Sequence, residues 1–254
     1  MEIQLDYLGN YLNDNLTTQL NLFDDTLKPA NFKNYRSPYY QDVEQFFSSI
    51  SKNDVDRYID YWDSIKPSNA SAIFQRWLFA FMSVHTTWEA NIKGYVAIKE
   101  WWRWLNKGDE LKNLIHSSRV GMQNNRARYI EKFAQDYWQN PDSYLYSLQN
   151  GWVSHRDSLA EKTLGLGPAK TSFSIELCYP NSAYIACMDT HLFQVYGLNQ
   201  TKDLNMYEKI EAHWLDMSRM WNVPPYIARC IFWDKKQNKQ DSRYWSYVFE
   251  CLAG

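Results

Sequence analysis

Residues 163–196, TLGLGPAKTSFSIELCYPNSAYIACMDTHLFQVY, constrain this chain more than any other stretch. Gly165 and Gly167 bracket Leu166 in a short turn, where two positions without a Cβ let the backbone reverse tightly and approach another backbone closely. Pro168 follows at a position suited to the first turn of a helix, where its missing N–H costs nothing. Amides at such a helix start point outward and favour an anion, and a nucleic-acid phosphate is the candidate. Lys170, an apolar segment and the tripeptide Asp189-Thr190-His191 complete the stretch.

Composition sets the scale of the fold around that turn. Among 254 residues, 45% are hydrophobic and 17% aromatic, with 12 Trp and 19 Tyr, enough for one large domain or two closely packed halves and too much for extensive disorder. The net charge of -2 gives no global attraction to nucleic acid, so any basic footprint is local. The cysteines, at 178, 187, 230 and 251, lack the paired spacing of a zinc or iron–sulfur site. They read as ordinary buried or semi-buried thiols, and neither metal nor cofactor is expected. With no signal peptide and no long uncharged apolar run, the expectation is a soluble, reduced, cytoplasmic protein.

Helical patterns run almost throughout, and the chain reads as all-α. Residues 1–36 carry no sharp periodicity and are expected to be a loosely structured lead-in to a helical region over 37–254. Ser37-Pro38 predicts a helix carrying Val43, Phe46, Phe47 and Ile50. Asp54 is the expected cap of a second, carrying Val55, Tyr58, Ile59 and Trp62 and ended by Lys66-Pro67. From Ser71 a buried helix is expected, then a break at His85, Thr86 and Thr87, then an amphipathic helix whose tryptophans are mostly core, with Trp88 a pocket-lining candidate. A break at Gly121 divides the most basic interval, which holds Lys112, Arg119, Arg126, Arg128 and Lys132. That run reads either as a solvated helix face or as a phosphate-facing surface. Helices are also expected over 154–162, through Tyr207, Ile210, Glu211 and Trp214, and from Pro224-Pro225. The tail over 235–243 reads as polar and turn-like before YWSYVF. Asp189, taken alone before Thr190, reads first as the cap of the next helix and only second as a chemical group.

Three segments, in order, resemble the helix-hairpin-helix DNA glycosylase superfamily, HhH-GPD. MSVHTTWEANIKGY is similar to its early helix-break-helix, LIHSSRVGMQNNRARYIEKFA to its glycine break and basic helix, and LGLGPAK with ACMDTHLFQVYG to its hairpin and catalytic Asp-Thr-His. The likeness covers about 72–198, with the hairpin at 163–171. It implies a two-lobed helical enzyme with its cleft between the lobes, gripping double-stranded DNA and flipping one nucleotide. By family position Asp189 would face that nucleotide as the catalytic carboxylate. The resemblance further assigns Gly165, Leu166, Gly167 and Ala169 to phosphate binding through the hairpin, and His85, Thr86, Thr87, Arg119, Arg126 and Arg128 to DNA contact.

One departure bears on the chemistry. Family members that also cut the strand carry a nucleophilic lysine two residues after the second hairpin glycine. Here that residue is Ala169, and Lys170 comes one later, a rotation of about 100° on a helix. Strand cleavage is therefore not expected.

Pro168-Ala169-Lys170, Phe173 and Cys187 are similar to a virus-encoded branch of the superfamily linked to thymine hypermodification, the alpha-glutamyl/putrescinyl thymine pyrophosphorylase-like and amino acid:DNA transferase enzymes. That likeness implies replacement of pyrophosphate on 5-(pyrophosphoryloxymethyl)uracil in DNA by a small amine or amino acid. Lys170, or Arg126 and Arg128 on the basic helix, would stabilise the leaving group, and Asp189 or His191 would accept a proton. This is the leading functional expectation. The alternatives are a monofunctional glycosylase hydrolysing the N-glycosidic bond of a modified or damaged base, and a catalytically inactive DNA-binding scaffold.

Overall fold

The computed structural model describes residues 38–107, 109–147, 151–236 and 248–249, and every regular element among them is helical. They divide into two compact units: Pro67–Cys178 is one, and residues 38–66 with the chain from Tyr179 onward make the other. The 1–36 lead-in, Cys251 and most of the tail lie outside the described residues.

The first unit is built on two helices that leave almost no face exposed. In α3 (Ala70–Met82), every residue from Trp77 to Met82 is buried, and in α8 (Pro168–Cys178) every residue from Thr171 onward is buried. They belong inside the fold although they take polar side chains with them, Arg76 on α3 and Thr171, Ser172, Ser174 and Glu176 on α8, and the two pack on each other. Asn69 starts α3 by accepting the Ala72 N–H at 2.9 Å, satisfying one of the donors that a helix start leaves orphaned. Around this pair lie α4 (Trp88–Ile98), α5 (Asp109–Ser118), α6 (Gln123–Gln139) and α7 (Trp152–Lys162). Phe74 on α3 stacks on Phe133 of α6 with ring centroids 5.4 Å apart, and the Tyr137 hydroxyl donates to the Ala70 carbonyl at 2.7 Å. Burying a phenylalanine of this kind stabilises by about 1.5–3 kcal/mol.

The second unit holds α1 (Pro38–Ser48), α2 (Lys52–Ser64), α9 (Thr190–Val195), α10 (Tyr207–Met220) and α11 (Pro225–Lys236). Phe47, Trp62, Phe193, Trp214 and Tyr226 are fully buried at its centre. An irregular buried segment leads into α9 and is pinned along its length by α10. The Ala186 N–H donates to Glu211 Oε1 at 2.9 Å, and the Tyr207 hydroxyl donates to the Ala186 carbonyl at 3.0 Å. Those bonds fix where Asp189 emerges.

The structure corrects several local expectations. The cap of α2 is Ser51, whose Oγ accepts the Asp54 N–H at 3.1 Å; Asp54 sits in the first turn, where its charge suits the helix dipole. Lys235 and Lys236 continue α11 rather than opening a turn-like tail. Trp102 is 56% exposed and not core, whereas Trp104 is buried and donates its indole N–H to the Ile98 carbonyl. Cys178, Cys187 and Cys230 are buried.

Candidate functional site

In the first unit the hairpin joins α7 to α8. The Thr163 N–H closes α7 on the Leu159 carbonyl at 2.9 Å, and the Thr171 N–H opens α8 on the Gly167 carbonyl at 3.0 Å. Leu166 is 4% exposed and anchors the turn from inside, so only its backbone is offered to a partner. The two glycines have different reasons for being there. Gly165 has φ +91, and a Cβ on it would lie 2.3 Å from Tyr129 Cδ2 on α6. Around Gly167 a Cβ would meet nothing within 4 Å, and its φ is not in the left-handed region. Nothing inside the chain demands a glycine there, and the open space suits a close approach from outside.

Tyr129 links the hairpin to the basic interval. The Arg128 guanidinium lies 5.0 Å from the centre of that ring, exposed and beside the turn. Ala169 and Lys170 are half-buried in the first turn of α8, with the Lys170 ammonium 5.5 Å from the Phe173 ring centre.

The basic interval is not one uniform surface. Arg126 is 4% exposed, and its guanidinium donates to the carbonyls of Phe81 at 2.8 Å, Met82 at 3.3 Å, Gly121 at 3.1 Å and Val84. It satisfies the orphan carbonyls at the end of α3 and is not available to DNA, so the expectation for Arg126 is corrected. Lys132 is bridged to Asp136 one turn along at 2.6 Å. Arg119 is exposed, in a turn where Arg119, Gly121 and Met122 all have positive φ.

The break between α3 and α4 supplies caps as well as candidates for contact. Thr86 Oγ1 donates to the Met82 carbonyl at 2.8 Å, and Thr87 Oγ1 accepts the Ala90 N–H at 3.3 Å as the cap of α4. His85, just before them, is exposed with φ +50. Trp88 packs edge-on against Phe79 at 5.6 Å. A cavity of about 490 Å³ opens next to it, lined by Thr87, Glu89, Ala90, Lys93, Ser117, Ser118 and Arg119, and Trp88 is not in its wall. Thr87 and Arg119, taken from two separate sequence segments, therefore meet in one depression.

In the second unit Asp189 caps α9. Its Oδ1 accepts the His191 N–H at 2.9 Å and the Leu192 N–H at 3.1 Å. Both readings open for this residue are thus structurally compatible, because capping occupies one carboxylate oxygen. Oδ2 lies 3.9 Å from Arg229 Nη1, with the side chains 20% and 3% exposed respectively. His191 is half-buried, edge-on to Trp233 at 4.5 Å, and its Nδ1 lies 3.4 Å from the Lys236 ammonium. An ammonium has only protons to give, so Nδ1 accepts in this contact and a neutral His191 carries its proton on Nε2.

Arg229 and Lys236 were not among the residues singled out from sequence, and Trp233 was expected only on the apolar face of its helix. Their spacing on α11 places them along one helix face, a signal readable only by asking what faces Asp189. Among the described residues no group of His, Cys, Asp and Glu is placed to hold a metal ion, and no helix is long and apolar enough to cross a membrane.

No protein-family model matches the chain, and no curated protein matches it in sequence. Among solved structures it is similar to the crystal structure of the 8-oxoguanine DNA glycosylase of Methanocaldococcus jannaschii, with a TM-score of 0.63 at 18% identity over 83% of this chain and 99% of that one. The two share a fold. The expectation of an all-α chain, drawn from its helical patterns, and of a glycosylase-like architecture, drawn from the three resembling segments, is met.

Proposed function

We propose that this protein is a DNA-base-processing enzyme that extrudes a modified or damaged base and hydrolyses its N-glycosidic bond, with Asp189 as the catalytic carboxylate. One observation carries the reading: in a fold shared with a DNA glycosylase, Asp189 is held rigidly through Oδ1 while Oδ2 stays free of direct hydrogen bonds from the backbone. As the glycosidic bond lengthens, its electrons pass to the base nitrogen and the sugar gains positive charge at C1′. A fixed carboxylate stabilises that charge and orients the water that adds there. Removing a preorganised group of this kind costs roughly 10²–10³ in rate.

The hairpin and the depression between α4 and α5 are the proposed DNA-backbone contacts. At the hairpin the open approach to Gly167 and the exposed Arg128 support this, and at the depression Lys93 and Arg119 do. Strand cleavage is not part of the proposal. Ala169 occupies the position where the resemblance would place the nucleophilic lysine, and Lys170 sits one residue further round, against Phe173.

Hypermodification differs from hydrolysis in the bond broken: pyrophosphate leaves the exocyclic methylene, an amine replaces it, and the base stays on its sugar. The Pro168-Ala169-Lys170 resemblance alone supports it, and the shared fold favours hydrolysis. The deciding experiment incubates the protein with duplexes carrying 8-oxoguanine, uracil, 5-hydroxymethyluracil or its diphosphate, with and without amines, and analyses bases and nucleosides by mass spectrometry. Free base with an abasic site is the expected product. Pyrophosphate release with an intact sugar–base bond would overturn hydrolysis in favour of transfer, and neither product from any duplex would leave the inactive scaffold.

A further inference from the structure

Asp189 and Arg229 come from elements far apart in the chain, and α11 delivers a guanidinium to the only part of the Asp189 carboxylate that α9 does not use. Oδ1 is committed to two backbone amides. Oδ2 faces Arg229 Nη1 at 3.9 Å, inside ion-pair range but beyond hydrogen-bond length. Arg229 is 2% exposed, so the cation approaches from the protein interior while the carboxylate keeps its access to solvent. Its own position is fixed: the guanidinium lies 5.1 Å from the centre of the Tyr226 ring, one turn earlier on the same helix.

That separation has a chemical meaning. A guanidinium hydrogen-bonded to both oxygens would draw the carboxylate inward and occupy the lone pairs that a water or a sugar needs. A charge held slightly further off biases the carboxylate's orientation without occupying Oδ2.

We propose that Arg229 is a positioning residue for Asp189, holding Oδ2 in the orientation in which it meets the reacting nucleotide. This rests on the base-releasing role of Asp189 proposed above, and it adds a residue that the resemblance does not assign. Arg229 itself touches neither base nor sugar.

The test is a double-mutant cycle with Arg229→Met, Arg229→Lys and Asp189→Asn, each checked for retained fold by thermal melting. On the duplex that wild type processes, R229M is expected to lower kcat about tenfold to a hundredfold while KM stays within about threefold, and R229K to recover most of the loss. In the D189N background R229M is expected to change nothing further. Equal losses in both backgrounds, or a loss in KM alone, would overturn the proposal.

A second readout does not depend on activity. The backbone amide resonances of His191 and Leu192, which Asp189 caps, are expected to shift in R229M and to return in R229K. Unmoved resonances overturn the positioning role even for a protein with no detectable base release. A wild type that releases no base while these amides do respond to Arg229 would defeat the proposed function and leave the positioning intact.

Discussion

Gly165 lies face to face with Tyr129: a Cβ on the glycine would sit 2.3 Å from the ring's Cδ2 and 2.6 Å from its Cγ. The hairpin is thereby seated on the basic helix, and its two glycines separate in what they predict. Gly165→Ala meets both a left-handed φ and the ring, and is expected to lower stability by about 2 kcal/mol or more. Gly167→Ala is expected to leave the urea midpoint unchanged and to weaken DNA binding, with the loss growing as salt is lowered. Equilibrium unfolding and fluorescence anisotropy on the two variants check the split, and equal stability losses would count against it.

Arg126 is a strut between α6 and the end of α3. Its removal in Arg126→Met strands the carbonyls of Phe81, Met82 and Val84 near or below the surface. Each lost charged hydrogen bond is worth about 1.5–3 kcal/mol, so a combined loss of at least about 3 kcal/mol is expected after relaxation. Arg128→Met, exposed one residue pair further on, is expected to cost less than about 0.5 kcal/mol and to weaken DNA binding instead. Urea denaturation and binding titrations of the two variants test the contrast.

The contrast between these arginines marks the boundary of what the sequence discloses. Helix breaks were legible because Gly121, the His85-Thr86-Thr87 turn and Pro225 act locally, and the hairpin was legible because its residues are contiguous. Arg126 and Arg128 look alike in a basic run, since burial is decided by α3 and not by their neighbours in the chain. Arg229 was invisible for the same reason: its meaning comes from Asp189, which a different element supplies. The Asp54 cap was misplaced because Ser51 and Asp54 are both good cap residues three apart, and local chemistry alone does not rank them.

Two buried histidines give the fold an acid limit. Burial pushes His213 down to about 4, and burial together with nearby Lys162 does the same to His155. An unfolded histidine takes up its proton near pH 6.5, so between about 6.5 and 4 the unfolded state binds more protons and stability falls as pH falls. Each histidine contributes up to about 3 kcal/mol across that window. For His213 the Glu44 carboxylate, 3.8 Å from Nε2, offsets part of the loss on protonation. The urea midpoint is expected to drop steadily from pH 7 to pH 4.5, and less steeply in His155→Phe, whose ring nitrogen Nε2 has no hydrogen-bond partner to lose. A slope unchanged by that substitution would show that His155 is not among the groups responsible.

Asp189 performs two jobs that substitution can separate. Asparagine caps a helix as well as aspartate does, because its side-chain oxygen accepts the same amide protons, while alanine forfeits the cap at a cost of about 1 kcal/mol. Asp189→Asn is therefore expected to retain the two bonds to His191 and Leu192, melt higher than Asp189→Ala and bind DNA as wild type does. If the carboxylate acts on the sugar, base release falls by roughly a hundredfold or more in both variants, since each lacks the charge. A cap with no catalytic part predicts the opposite order: Asp189→Asn active and Asp189→Ala impaired in step with its stability. Melting temperature and single-turnover rate, measured together on these two proteins, place Asp189 in one class or the other.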